Sequence, residues 1–353
     1  GDVPSVMACS SLGSDFSSVP SNISGDHAYG DDVNEDDTVF SNGCGITAIR
    51  TLEGCSDAEE DFSNNDVNGK QQFIPIITQE MLSCPDEHVL EIQKAAEINL
   101  KRNAFNKALN MYEHLLQYYH GKFGESHHIV GSALHSIGMI YLKAGDFEEA
   151  LEAFQNAVRN SKNALGEDHP DVSVSVMKVG LVQLNLRQFD DALLSFKLAL
   201  AMRRKNLGKT HILTAKVLNN IGCVYAEQKD FTRSLYAFEK ALDTERSALV
   251  ENPTENTIRF SMVTSLCNLG FLYRRRGMYE KCAIVLREAL SIQETLFESH
   301  HPSILSTLYT LADAESMRHE HSTALGLYTK IISVLSFDNE EKNEEHRAVV
   351  FTR

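Results

Sequence analysis

Three short runs set histidines where a metal ion or a proton-transfer step could use them: "SHH" at 126–128, "SHHP" at 299–302 and "HEHS" at 319–322. Neutral imidazole is a common metal ligand and titrates near physiological pH. The spacing argues against that chemistry here. His127, His169, His211 and His301 hold one equivalent place in "FGESHH", "LGEDHP", "LGKTHI" and "FESHHP". A histidine that recurs with its segment is expected to serve the chain itself, at the start of a helix. His319 and His321 are two residues apart, which on a helix does not put them on one face, so "HEHS" reads as a loop. The seven cysteines, Cys9, Cys44, Cys55, Cys84, Cys223, Cys267 and Cys282, form no CxxC pair and are odd in number. They read as reduced thiols in a cytosolic or nuclear setting, with a cytoplasmic location as the expectation, not as a disulfide scaffold. No Cys/His/Asp arrangement suggests a nucleophile. "GDFEEA" is a joint between helices, not a phosphate-binding loop. The expectation is no enzyme, no metal and no cofactor.

What remains is polar recognition, and the elements that would position it repeat. Gly124, Gly166 and Gly208 are 42 residues apart. An aromatic series, Phe105, Phe147, Phe189, Phe231 and Tyr279, ends with His321 and advances by 42, 42, 42, 48 and 42. Ala96, Gly138, Gly180, Gly222, Gly270 and Ala312 form a third series. A fixed period in this range means stacked supersecondary units. Each unit reads as two amphipathic helices, A and B, on the 3.6-residue period. In "LGEDHP" the left-handed conformation open to Gly166 closes one helix, and Pro170 suits the first turn of the next. The small residue on helix A, and a second small set on helix B (Ala108, Ala150, Ala192, Ser234, Cys282, Ala324), allow close crossing. A large residue four further on fills the adjacent space: Tyr112, Phe154, Phe196, Phe238, Leu286 and Tyr328.

Charge divides the 353-residue chain. Residues 1–70 carry −12 of the net −16. Residues 1–72, rich in Ser, Asp, Asn and Gly, are expected to be a disordered acidic tail. Residues 73–85 form a short apolar linker, residues 86–336 the repeats, and 337–353 a charged tail. The units fall at about 86–122, 128–164, 170–206, 212–249, 260–297 and 302–336. The absence of a basic footprint argues against nucleic acid as a partner. No run of 18 apolar residues predicts a membrane span. Gly1 in place of Met reads as a processed or truncated start.

The pattern of Gly138 with Tyr141, then Ala150, Phe154 and Ala157, resembles the tetratricopeptide repeat in a 42-residue form, with a linker similar to that of kinesin light chains. The resemblance covers about 86–335. It implies an all-α, right-handed superhelical solenoid of about six units. Some positions depart from it. Asn99, Gln183 and Glu315 stand where helix A has Tyr141. For the end units, Asn99 and Glu315, exposure to water is the expected reason; internal Gln183 has no account from sequence. The linker before the fifth unit is six residues longer, with Val250 in the glycine position. Residues 1–85 show no heptad pattern of the kind a motor-binding light chain carries.

The resemblance also implies a concave groove lined by helix A. Its mapped residues are His135, Met177, Lys178, Lys216, Asn219, Asn220, Cys267, Asn268, Arg274 and Arg275. Asparagine amides offer donor and acceptor to a peptide backbone, and the bases would favour acidic peptides. The implied function is an adaptor for linear peptide segments of partner proteins. The alternative is a structural subunit or homo-oligomer using the convex face and the ends. Self-binding is a further expectation: "NEDDTVFSNG" (34–43) or "FIPI" (73–76) could occupy the chain's own groove.

Overall fold

The computed structural model describes residues 85–335. The expectations for the acidic tail, the linker, the charged C-terminal tail and self-binding lie outside the described residues. Within them the chain is all-α and forms two compact units, described here as 85–209 and 210–335.

The first unit contains α1 (Pro85–Lys101), α2 (Phe105–Phe123), α3 (His128–Ala144), α4 (Phe147–Leu165), α5 (Pro170–Asn185) and α6 (Phe189–Leu207). The second contains α7 (Ile212–Glu227), α8 (Phe231–Glu251), α9 (Asn256–Arg275), α10 (Tyr279–Leu296), α11 (Pro302–Met317) and a helix α12 over 321–335. Odd and even helices alternate as A and B of successive pairs.

The pairs close because of the small residue on helix A. A Cβ on Gly138 would stand 2.8 Å from the Phe154 ring, and one on Gly180 would stand 2.9 Å from Phe196. Phe154, Phe196 and Phe238 are fully buried there. Each such ring contributes about 2–3 kcal/mol of hydrophobic stabilisation. In the first unit Ile92, Tyr112, Leu115, Val130, Ile137 and Ile140 continue the core.

The turn inside every pair takes a positive φ, and so do three of the five turns between pairs; Asn252 and Phe297, after α8 and α10, have φ of −132° and −128°. Between the helices of a pair the positive φ falls at Asn103, Gly145, Arg187, Lys229, Gly277 and His319, one residue per pair. Only two of these are glycine, so the others accept a left-handed backbone that costs about 1–2 kcal/mol. Between pairs, Gly124, Gly166 and Gly208 have φ of 82°, 93° and 93° with ψ of 165°, 160° and 172°. The sequence reading placed a left-handed helical residue at Gly166. The observed backbone is instead extended with positive φ, a region essentially restricted to glycine. Where Val250 replaces that glycine, α8 runs on to Glu251 and leaves Val250 exposed.

The recurring histidines are helix caps. Nδ1 of His127, His169, His211 and His301 accepts from the backbone N–H two residues on, at 3.2–3.4 Å. This satisfies one of the unpaired donors of the first turn. Phe123 stacks on His127 and Phe297 on His301, with ring centroids 4.8 and 3.9 Å apart. His319 lies in the turn before α12, and His321 begins that helix.

The polar departures have structural partners, and for the end units the solvent explanation is corrected. Asn99 is buried, with Nδ2 donating to the Ala95 carbonyl and toward Met111 Sδ. Gln183 Oε1 accepts from Ser195 Oγ at 2.7 Å. Glu315 has no exposed surface and pairs with Arg287 and Arg318.

Candidate peptide-binding surface

Helix A supplies the candidate residues, and each unit holds its own share. In the first unit these are His135 on α3 and Met177 and Lys178 on α5, all half-buried. His135 Nδ1 lies 3.0 Å from Ser175 Oγ, and its ring meets Phe154 edge-on at 5.2 Å. Burial, helped by the charge of Lys178, lowers its pKa to about 4. The ring is therefore neutral at pH 7 and acts as a joint between α3 and α5, not as a cation for an acidic ligand.

In the second unit, Asn219 and Asn268 are interior residues, 5% and 4% exposed. This differs from the expectation of amides open to a peptide backbone. Asn219 Nδ2 donates to Ser265 Oγ at 2.7 Å and toward Glu245 Oε1 at 3.4 Å. The close approach of α9 covers the amide, and its neighbours Val217 and Leu218 on α7 are likewise buried. Lys216 and Asn220 are half-buried, and the Lys216 charge reaches Glu245. Cys267 Sγ is 3.8 Å from Thr307 Oγ1. Arg274 pairs with Asp313 at 2.5 Å, which commits its charge within the protein. Arg275 is exposed and lies over the rings of Phe231 and Phe271.

Three of these contacts are one device. His135 to Ser175, Asn219 to Ser265 and Cys267 to Thr307 link the same helix A position to the next helix A, 40, 46 and 40 residues on. The six extra residues in the middle case are the long linker before α9. Sequence reasoning found the first member of each contact and missed Ser175, Ser265 and Thr307, which stand two residues short of the next repeat equivalent and so were within reach of the period.

It also missed a cleft of about 630 Å³ between α1 and α3 over α2. Gln93, Glu97, Tyr112, Tyr119, Phe123 and Ser132 line it, and Gln93 Nε2 donates to Tyr119 Oη at 2.9 Å. Gln93 occupies the register of His135 and Asn219, so extending that series back by one period would have reached it. The described residues contain no group of three or more His, Cys, Asp or Glu that could hold a metal ion. Among them, no helix is long and apolar enough to cross a membrane. Among the described residues, Cys223, Cys267 and Cys282 form no disulfide.

The tetratricopeptide-repeat family model matches residues 89–163, 129–205, 171–246 and 261–336. Among curated proteins none matches this sequence. Solved structures share the fold at low identity. BtubC (BKLC) from P. vanneervenii is 16% identical with a TM-score of 0.55, over 69% of this chain and 92% of that one. The apo form of RapI is 18% identical with a TM-score of 0.55, over 82% and 72%. A point variant of the Podosopora anserina putative kinesin light chain repeats is 18% identical with a TM-score of 0.50, over 59% and 96%. With matches spread over most of its length and the same helix pairs throughout the described residues, the chain belongs to the tetratricopeptide-repeat family.

Proposed function

We propose that the chain is a non-enzymatic adaptor that binds linear, acidic peptide segments of partner proteins on its helix A surface. Its repeat family supports a protein-interaction role. The observation that carries the reading is one helix A register. Its members outside the helix A joints, half-buried Gln93 and Met177 and 53% exposed Tyr309, differ from pair to pair, while the closing residues and cap histidines recur. The acidic preference rests on Lys178, Lys216 and exposed Arg275, which attract carboxylates as charge-assisted donors. Arg274 and the two buried asparagines hold the scaffold, so the adaptor's contacts come from the other residues.

The test is titration of the full chain with fluorescent acidic and basic peptides of equal length. Acidic peptides bind more tightly, and raising salt weakens them. Lys178→Glu and Arg275→Glu each reduce that affinity while helix content is unchanged. Equal binding of basic peptides, or affinities that neither variant moves, sinks the reading.

A second reading, a structural subunit or homo-oligomer, is favoured by one observation. Leu325, Ile332 and Leu335 of α12 expose 68%, 66% and 46% of their surface at the last described helix. Sedimentation of the full chain with Leu325→Ser and Ile332→Ser decides it: a self-associating end face gives an assembly that these changes dissolve.

A further inference from the structure

The second unit buries a carboxyl group that the peptide-binding reading does not use. Glu245 of α8 has no exposed surface. Its Oε1 accepts from Ser261 Oγ at 2.6 Å and faces Asn219 Nδ2 at 3.4 Å. Ser261 and Ser265 belong to α9 and Asn219 to α7, so Glu245 stands where three helices from two successive pairs meet. Among the described residues, its Oε2 has no hydrogen-bond partner, and neither does the buried Oδ1 of Asn219. Two buried acceptors without a partner in one cluster call for a donor. A carboxylic acid carries one donor there, and an ionised carboxylate carries none.

The charged groups around it are few. From α7 comes Lys216, whose charge favours ionisation. From α9 come the two hydroxyls. On α8 itself the next residue, Arg246, turns outward to Glu288 of α10, at 2.8 and 2.9 Å. Against these, burial is the largest influence and raises the Glu245 pKa to about 7. The same helix B register elsewhere holds Tyr119, Ser161, Arg203 and Gln293, none of which is a carboxyl.

We propose that Glu245 makes the α7–α8–α9 joint a proton-controlled one: protonated, it locks α9 onto the pair before it; ionised, it loosens that packing so that water can reach the carboxylate. The joint lies beside the longer linker, at the one place where the 42-residue period breaks to 48. Its neutral range follows from the two states. An exposed glutamate ionises near 4.5 and the buried one near 7, so the closed form loses on the order of tenfold in population ratio between pH 6 and pH 8. The proposal is independent of what binds the helix A surface.

Hydrogen–deuterium exchange of the full chain, corrected for the intrinsic pH dependence of exchange, tests it. The amides of α9 lose about tenfold protection from pH 6 to pH 8 in the native chain, and less than twofold in Glu245→Gln, which keeps the shape and carries a permanent donor. No loss in the native chain, or equal loss in both, overturns the proposal. A difference infrared spectrum of the native chain covers the case in which the variant does not fold. One buried carboxylic-acid C=O band present at pH 6 and absent at pH 8 supports the proposal, and its absence at pH 6 overturns it.

Discussion

Gly222→Ala adds one methyl group at the tightest crossing in the described structure. Its Cβ would lie 2.5 Å from Phe238 Cε1 and 2.6 Å from Cδ1. The Phe238 ring is itself enclosed and has no flexible end to move aside. The helices must separate, and overpacking of this kind costs about 1–3 kcal/mol. Separation also stretches the bond from Ser234 Oγ to the Gly222 carbonyl, 2.7 Å long and buried, at a cost of about 1 kcal/mol. Alanine's better helix propensity returns about 1 kcal/mol. The net expectation is a loss of about 1–3 kcal/mol. Two controls bracket it. Gly270→Ala meets Leu286 Cδ2 at 2.7 Å, but that side chain can rotate, so the loss is smaller. Gly326→Ala meets nothing within 4 Å and gains up to about 1 kcal/mol. Urea unfolding followed by helical circular dichroism, with exchange protection of α7 and α8 as the local reading, orders the three variants. Gly222→Ala as stable as Gly326→Ala would refute the close-crossing argument.

Lys229→Gly removes a left-handed strain at φ 60° and is expected to stabilise the second unit by about 0.5–1 kcal/mol in urea unfolding; a loss would show that the turn depends on the lysine side chain. His135 is expected to titrate near 4 by NMR, below its ordinary 6.5. Because the folded pKa is depressed, the stability from the neutral ring is complete above 6.5 and is lost as pH falls toward 4. At pH 5 this loss amounts to about 1–2 kcal/mol, absent in His135→Gln; a ring titrating at 6.5 contradicts it. Glu315→Ala removes the shared partner of Arg287 and Arg318, whose side chains are 51% and 27% exposed and stay within reach of water, and is expected to cost about 1–2 kcal/mol, against less than half that for Arg318→Ala, where Arg287 keeps its partner. Equal thermal shifts for the two variants would contradict this ordering.

The helix pairs were legible because their closing residues answer to geometry alone. A small residue must face a large one wherever two helices cross closely, so Gly138 with Phe154 and Gly180 with Phe196 repeat with the fold. The cap histidines repeated for the same reason. Polar partners across a pair were not legible. Asn99 meets Met111, and Gln183 meets Ser195, each 12 residues apart on facing helices. Glu315 meets Arg287 from 28 residues away. A residue's own surroundings in sequence do not reveal such a partner, which is why Asn99 and Glu315 looked like exposed ends. The helix A register could be placed by period, but its burial depends on how near the next helix A comes. Asn219 was covered by α9, while Tyr309 in the same register kept 53% of its surface.

One helix B register sharpens the same point. Tyr119, Ser161, Arg203, Glu245 and Gln293 are equivalent in the repeat, and all are buried. In two pairs the helix A register reaches the same partner position, Gln93 to Tyr119 and Asn219 to Glu245, each 26 residues on. Burying polar groups does not by itself stabilise a fold, since well-packed apolar residues often do as well or better. Each buried polar group does restrict its neighbours, because leaving it unpaired costs about 1–3 kcal/mol. Gln293 illustrates the restriction: its Nε2 donates to both the carbonyl and the hydroxyl of Ser303 on α11, a pairing that an apolar residue at 303 could not fully return. The closing residues are nearly interchangeable from pair to pair, so they cannot tell one neighbour from another. The polar register carries a different side chain at each joint, which is the difference that telling neighbours apart would need.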